Sequence, residues 1–325
     1  MQERTTGMAQ AGAAMAMVGG AVTASGFLTS FPLFSAQAVR YALAAILLFV
    51  VARRWFPSAI RRPAGREWWW LAASATAGLS GYNLAVLAAV EHAEPAAIGT
   101  VVACVPLVLA LAVPLTQRRP PPLRLVGAAL AVVIGAAIVQ GGGRTDLAGL
   151  LWSLLALAGE AGFTLLAMPV LSRLGPFTIA FTTAWLAALE LFMLAVVFDG
   201  SSSLAVPDAG VVLAVGYLVL ASAGAFVLWF LAIERVGGAL TGLAAGVIPI
   251  AAAVTGLMVG RTTIDLSVLG GTVVVASGIV VGIASTRSDR VHRAAARRAV
   301  GVDEPADDAA PAEASRIVAG VEGHE

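Results

Sequence analysis

"GYNLAVLAAVEHAEPAAIGTVVACVPLVLALAVPLTQRRPPPLRLVGAALAVVIGAAI", residues 81–138, returns without a gap as "GAFVLWFLAIERVGGALTGLAAGVIPIAAAVTGLMVGRTTIDLSVLGGTVVVASGIVV", residues 224–281. Glu91 falls on Glu234, Gly99 on Gly242, Pro106 on Pro249, Arg118 on Arg261, Gly127 on Gly270 and Gly135 on Gly278, each at an offset of 143 residues. The chain therefore reads as a tandem duplication, and the remaining question is what kind of unit is doubled.

Composition answers it. Of 325 residues, 59% are hydrophobic and only 12% are charged, about half the charged share of ordinary soluble domains. Apolar windows separated by turns or charges fall at 8–28, 33–52, 68–90, 95–116 and 123–140, then at 147–171, 177–198, 209–233, 238–260 and 265–285. Each is close to the ~20 residues that cross ~30 Å of hydrocarbon. The expectation is an all-α integral membrane protein of ten transmembrane helices: one five-helix repeat in 1–140, a second in 147–285, and a tail from 286 to 325. The first window lacks the positive flank of a cleaved signal, since "MQERTTG" pairs Glu3 with Arg4. The tail runs from basic, "TRSDRVHRAAARRAVG", to acidic and Pro- and Ala-rich, "VDEPADDAAPAEAS", the composition of a disordered segment.

Several chemistries are excluded. All twenty basic residues are arginine, so there is no lysine for a phosphate-binding GxxxxGK loop or a Schiff base. A single cysteine, Cys104, forms no intramolecular disulfide, and His92, His292 and His324 lack metal-ligand spacing. No cofactor, no metal and no nucleic acid is expected. Enzymatic activity is not expected either, because the dense acids, "DEPADD", lie in the tail rather than near a membrane face.

With the N-terminus placed in the cytoplasm, only Arg144 and Arg261 fall outside and Arg40 within a span; every other arginine lies inside. That is the distribution of a multi-pass plasma membrane protein, in bacteria the inner membrane, with both termini cytoplasmic. "REWWW", residues 66–70, supplies interfacial tryptophans beside an arginine. Five helices per repeat is an odd number, so the second copy enters the membrane from the opposite side. Inverted repeats are the construction of many secondary transporters, where two similar halves exchange conformations around a midplane site.

Over residues 12–285 the chain resembles the EamA-type transporters of the drug/metabolite transporter superfamily. The resemblance rests on the doubled A-[VI]-E at Glu91 and Glu234, on Pro106 and Pro249 midway along the fourth and ninth helices, on Gly127 and Gly270, and on Arg40 within "AVRYALAAILL". It implies export or exchange of small metabolites, often amino acids or amphipathic compounds, through a cavity between the halves. The sequence departs from the family where a Gly-Glu pair often closes those two helices: Arg118 and Arg261 occupy the glutamate positions.

Three ionisable residues fall well inside spans, Arg40, Glu160 and Glu190. At a helix centre each costs roughly 2.5–3.5 kcal/mol on insertion scales, so each needs a partner or water. Arg40 and Glu190 lie at similar depth, some 10–12 Å from the same boundary at 1.5 Å per residue, which suggests a structural ion pair, with substrate binding as the alternative. Glu160 sits midway along "SLLALAGEAGFTLLAMP", residues 153–169; the alternatives are a packing hydrogen bond, to Asn83 or Thr23, and a proton or substrate role. Thr23, Ser25, Gln37, Tyr82, Asn83 and Trp229 suggest a mildly polar, partly aromatic pocket around it. Pro106 and Pro249 are expected as kinks or pocket walls. Gly238, Gly242 and Gly246, at i, i+4 spacing, form a close-packing face.

The expected function is therefore a secondary transporter that exports a small organic metabolite, an amino acid or amphipathic compound, with proton exchange as a candidate coupling. Its partners are the substrate, the lipid bilayer and protons. A nucleotide-sugar or sugar-phosphate exchanger is the alternative, although it calls for several cationic groups in the cavity. A membrane-embedded enzyme or a non-transporting receptor are alternatives of another class.

Overall fold

A computed structural model describes residues 2–28, 31–199, 208–260 and 265–299, with side chains as far as residue 284. Arg261, used above for orientation, and residues 300–325, which hold the acidic tail, lie outside the described residues. Among the described residues there is no strand, only one isolated bridge between Ala93 and Thr145. The chain is an all-α protein with the apolar helices of a multi-pass membrane protein.

The helices are α1 (Gln2–Ser25), α2 (Leu33–Trp55), α3 (Glu67–Ala75), α4 (Tyr82–Ala89), α5 (Pro95–Val102), α6 (Val105–Thr116), α7 (Leu123–Gln140), α8 (Leu147–Leu194), α9 (Ala209–Val236), α10 (Gly238–Gly242), α11 (Val247–Met258) and α12 (Leu266–Ala299). A π-helical segment, Thr76–Gly81, joins α3 to α4, and a 3-10 segment, Leu243–Gly246, joins α10 to α11. Their ends follow local chemistry. Asp146 and Asp208 cap α8 and α9 by accepting from the backbone N–H of Gly149 and Val211, each at 2.8 Å. Gly141 and Gly237 end α7 and α9 with φ of 75° and 82°, a conformation in which a side chain is strained.

Among the described residues eight runs are long and apolar enough to cross a membrane, against the ten windows counted in the sequence. Two features account for the difference. The first window lies in α1, whose Gln, Thr, Gly and Ala content leaves it too weakly apolar to count among them. The windows at 147–171 and 177–198 lie in a single run, Leu147–Asp199, of 53 residues. A straight helix of that length would measure about 80 Å, far more than the ~30 Å of hydrocarbon. Gly175, at φ 75° and ψ 164°, breaks it just before Pro176, leaving one arm over 147–174 and another over 176–199.

The two sequence repeats do not form separate bodies: the described residues as far as Ile283 gather into one compact unit. Helices of the two repeats interleave. α1 packs mainly on α9 and α11, α2 on α8 and α9, and α3, the π segment and α4 on α8. Where α7 meets α12 the contact repeats itself. A Cβ at Gly135 would stand 2.7 Å from the Val275 nitrogen and 2.8 Å from the Gly271 oxygen. One at Gly278 would stand 2.8 Å from Val132 Cγ2 and 2.9 Å from the Ala128 oxygen. These residues exchange places under the 143-residue offset of the repeat.

The prolines expected as mid-helix kinks stand directly after interruptions in their apolar runs. The fourth apolar window is broken at Ala103–Cys104 and the ninth at Leu243–Gly246, equivalent places in the two repeats, and Pro106 and Pro249 fall in the first turns of the next helices. Each proline lacks the N–H that would reach the carbonyl four residues back, Val102 for Pro106 and Ala245 for Pro249, and its ring crowds that turn, so the disturbance falls just before it. The backbone stays in the helical region through both interruptions, so Pro95–Thr116 and Gly238–Met258 each run on past a local distortion beside the proline.

Candidate functional site

The π segment organises the interior. An extra residue in a helical turn rotates the next stretch of helix about its axis, and such segments recur at functional sites. It is pressed directly against the middle of α8: a Cβ at Gly78 would collide with Phe163, and one at Gly159 would reach 2.5 Å from the Ala77 oxygen. Ser74 reinforces the contact by donating to the Phe163 oxygen at 2.8 Å. The backbone approach of α4 and α8 puts Tyr82 beside the turn that carries Glu160; the same Cβ at Gly159 would lie 3.7 Å from Tyr82 Cα.

Glu160 and Tyr82 share a feature. Each is deeply surrounded by protein, yet retains accessible surface. Neither has a hydrogen-bond partner among the described residues. Tyr82 lies within electrostatic range of Glu160, of Tyr41 and of Arg40. Tyr82, on α4, thus stands within electrostatic range of an acid on α8 and of a cation and a second phenol on α2.

Arg40 itself is anchored rather than paired. Its Nε donates to Ser222 Oγ at 2.7 Å and Nη1 to Gln37 Oε1 at 3.0 Å, and its Cζ lies 4.9 Å from the Tyr41 ring centroid. Tyr41 stacks at 17° on Phe226, which packs on Phe163 in turn. The guanidinium therefore sits at the edge of an aromatic wall shared by α2, α8 and α9.

The expected ion pair between Arg40 and Glu190 is not formed. Among the described residues Arg40 has no carboxylate within ion-pair distance, and Glu190 Oε1 accepts from Thr76 Oγ1 at 2.8 Å while Oε2 is buried without a partner. Equal depth in the membrane did not make them neighbours: Arg40 turns toward α9 and Glu190 toward the π segment. The packing bonds expected for Glu160 are absent too, and both expected partners bond elsewhere. Asn83 Nδ2 donates to the Leu79 oxygen at 2.7 Å, and Thr23 Oγ1 donates to the Ala252 oxygen at 3.1 Å beside Thr255.

Trp229, expected to line the pocket, belongs to the core. It is 5% exposed, and its Nε1 donates to Thr164 Oγ1 at 2.9 Å. Ser25 likewise closes on its own helix, donating to the Ala21 oxygen. Gly238, Gly242 and Gly246 are buried, and a Cβ at these positions would meet Met168, Leu109 and Val132 respectively. Thr76, Tyr41, Thr164, Ser222 and Phe226 were not singled out in the sequence; for Tyr41 the adjacent Arg40 was an available signal.

Both ends of the bundle carry polar ties. At one, Arg173 pairs with Glu67 and Arg61 donates to the Arg173 oxygen, next to the Gly175 break. At the other, Arg144 pairs with Glu94 at 2.8 Å and His92 with Asp146 at 3.1 Å, joining the α4–α5 turn to the α7–α8 loop. The Arg144 side chain holds the Glu94 carboxyl below its ordinary value, and the Gly149 N–H, with His92 behind it, does so for Asp146.

No family model and no curated protein matches this chain. Solved structures do share its fold: one crystal structure of a protein superposes with a TM-score of 0.75 over 87% of this chain and 98% of its own, at 18% identity.

Proposed function

We propose that the protein is a secondary transporter of the EamA type, built from two inverted five-helix repeats, that exports a small organic metabolite. The single observation that carries this reading is the set formed by Glu160, Tyr82, Tyr41 and Arg40: charged and phenolic groups deep in an apolar bundle, with the acid and Tyr82 unpartnered among the described residues. Intramembrane ionisable groups that face inward are costly to place and mark substrate or proton pathways.

The duplicated construction supports it. In a ten-helix count α1 and the two arms of α8 each act as spans, and the breaks at Ala103–Cys104 and Leu243–Gly246 fall at equivalent places in the two repeats. Interrupted helices in corresponding positions of two halves are typical of transporter sites. The α7–α12 contact, which repeats itself under the same offset, supplies an axis about which two equivalent halves exchange conformations.

Orientation rests on the arginines: the end that carries Arg53, Arg54, Arg61, Arg62, Arg66 and Arg173 faces the cytoplasm, with both termini, in a plasma membrane. Glu160 is the coupling group. Charging a carboxylate at that depth is expensive, so whether it carries a proton depends on the side to which it is open and on the occupant beside it. Arg40, held by Ser222 and Gln37, is the complementary anchor for an anionic part of the substrate.

The test is flux in proteoliposomes containing the purified protein, screened with labelled amino acids and amphipathic cations and anions against protein-free vesicles. Saturable, protein-dependent flux of at least one compound that is lost in Glu160→Ala and Arg40→Ala is the expected result. Flux that both variants retain at wild-type level would overturn the assignment of the site.

A further inference from the structure

Helical faces that meet lipid are ordinarily convex, but between α2 and the second arm of α8 the surface is recessed into a groove of about 660 Å3. Its cause is residue size. Ala38, Ala42 and Ala45 recur on one face of α2 and form a shallow floor, while Phe49, Phe181 and Trp185 rise as walls. The walls are braced: Phe49 leans on Phe181 with centroids 5.7 Å apart, and Trp185 packs edge-on against Trp68 at 6.3 Å. Bulky residues along the rim, Val39 and Ile46 among them, are half exposed.

The groove runs along α2 from Ala38 to Phe49, about 16 Å at 1.5 Å per residue. That is close to half of the ~30 Å hydrocarbon thickness, a length comparable to one extended acyl chain. Its mouth is charged. Arg53 lies one turn beyond Phe49 on the same helical stripe as positions 38, 42, 46 and 49, with its Cζ 6.0 Å from the Phe49 ring. Arg54 stands beside it over Trp55. Neither arginine has an ion-pair partner among the described residues, and both are exposed. An apolar trough about the length of an acyl chain, with guanidinium groups at its cytoplasmic end, is complementary to one kind of molecule.

We propose that this groove binds an anionic phospholipid, one acyl chain lying between α2 and α8 and the phosphate held by Arg53 and Arg54. Arginine suits the site because its planar donors grip phosphate oxygens in pairs, and basic groups at this level draw anionic lipid from the surrounding leaflet. The bound chain completes the packing of the seam between the two helices. Lipid binding here is independent of the transport reading and survives its failure.

The experiment is native mass spectrometry of the full-length protein released from detergent micelles, titrated with phosphatidylglycerol or with phosphatidylcholine of the same chains. The wild type is expected to retain one phosphatidylglycerol on the order of tenfold more tightly than phosphatidylcholine. Arg53→Gln with Arg54→Gln should bring the two lipids to parity, and Ala42→Phe, which fills the half-buried floor, should lose both. Leu213→Phe on the exposed face of α9 should change nothing. As a measurement on unaltered protein, phosphatidylglycerol with a photoreactive acyl terminus should cross-link within residues 38–49 or 181–192. Equal retention of the two lipids by the wild type, retention unaffected by Ala42→Phe, or cross-links confined to other helices would each overturn the proposal. So would a lipid-free wild-type dimer that Ala42→Phe dissociates, since the occupant would then be a second copy of the chain.

Discussion

Replacing Gly135 by alanine probes the contact on which the two repeats meet. The added methyl would stand 2.7 Å from the Val275 nitrogen and 2.8 Å from the Gly271 oxygen, where ordinary carbon contacts begin near 3.5 Å. Both obstacles are backbone, so no side chain can turn aside, and α7 must move from α12 by most of an ångström. Overpacking of that kind costs about 1–3 kcal/mol, and the rigid partners put this site toward the upper end. Gly278→Ala meets Val132 and the Ala128 oxygen in the equivalent geometry and should cost a similar amount. Once either variant has parted the helices the other methyl has room, so the double variant should fall short of the sum by at least about 0.5 kcal/mol. Gly127→Ala, on the same helix but with nothing within 4 Å of its Cβ, is the control, neutral or stabilised by up to about 1 kcal/mol through helix propensity. The assay is the fraction of protein that stays monodisperse on size exclusion in detergent after heating through a series of temperatures. A Gly135→Ala protein as heat-resistant as Gly127→Ala would refute the close crossing, and strictly additive losses would refute the shared one.

Thr76→Val and Glu190→Ala should be non-additive in the same heating assay, by about 1 kcal/mol for a partly exposed hydrogen bond to an acid, whereas Arg40→Ala and Glu190→Ala should add. Trp229→Phe leaves the Thr164 hydroxyl buried without its donor and should cost about 1–3 kcal/mol of stability, while the apparent KM for substrate stays unchanged because the indole does not face the site. The tie between the α4–α5 turn and the α7–α8 loop should be acid-sensitive. Glu94 and Asp146 are held below their ordinary values of 4.5 and 3.8, so the stability that they contribute is present above those values and is lost as pH falls through the lower folded ones. Proteolysis of that loop on acidification reads this out, and Glu94→Gln with Asp146→Asn should abolish the change. Cysteines replacing Arg144 and Arg62 in a Cys104→Ala background should label from opposite sides of the membrane.

Much of the architecture was legible because hydropathy reports length and glycine and proline report breaks. The windows at 33–52, 95–116 and 123–140 coincide with helices, and Gly175–Pro176 separates two windows where the chain turns. What hydropathy does not report is rotation about a helix axis. Depth along α2 and α8 placed Arg40 and Glu190 at the same level, but which way each faces depends on packing, and Ser222 and Thr76 decided it. Trp229 failed for the same reason: an indole is as suited to a core hydrogen bond as to a pocket wall. The π segment left no trace, since one extra residue in a helical turn changes the phase of an apolar run and not its composition. Pro106 and Pro249 were visible as interruptions because proline lacks the N–H of the i→i−4 bond, and the helical turn is disturbed just before each.

The central claim is that Glu160 couples movement of substrate to movement of a proton, and Glu160→Gln tests it most directly. Glutamine keeps the shape and hydrogen-bonding capacity of the side chain and removes only its titration. Substrate flux is measured in proteoliposomes of wild type and variant, with and without an imposed pH gradient. The account predicts that the wild type accelerates net export when the gradient is applied, and that the variant still exchanges substrate across the membrane but no longer responds to the gradient. A wild type indifferent to the gradient, or a Glu160→Gln protein that keeps the whole response, would contradict it.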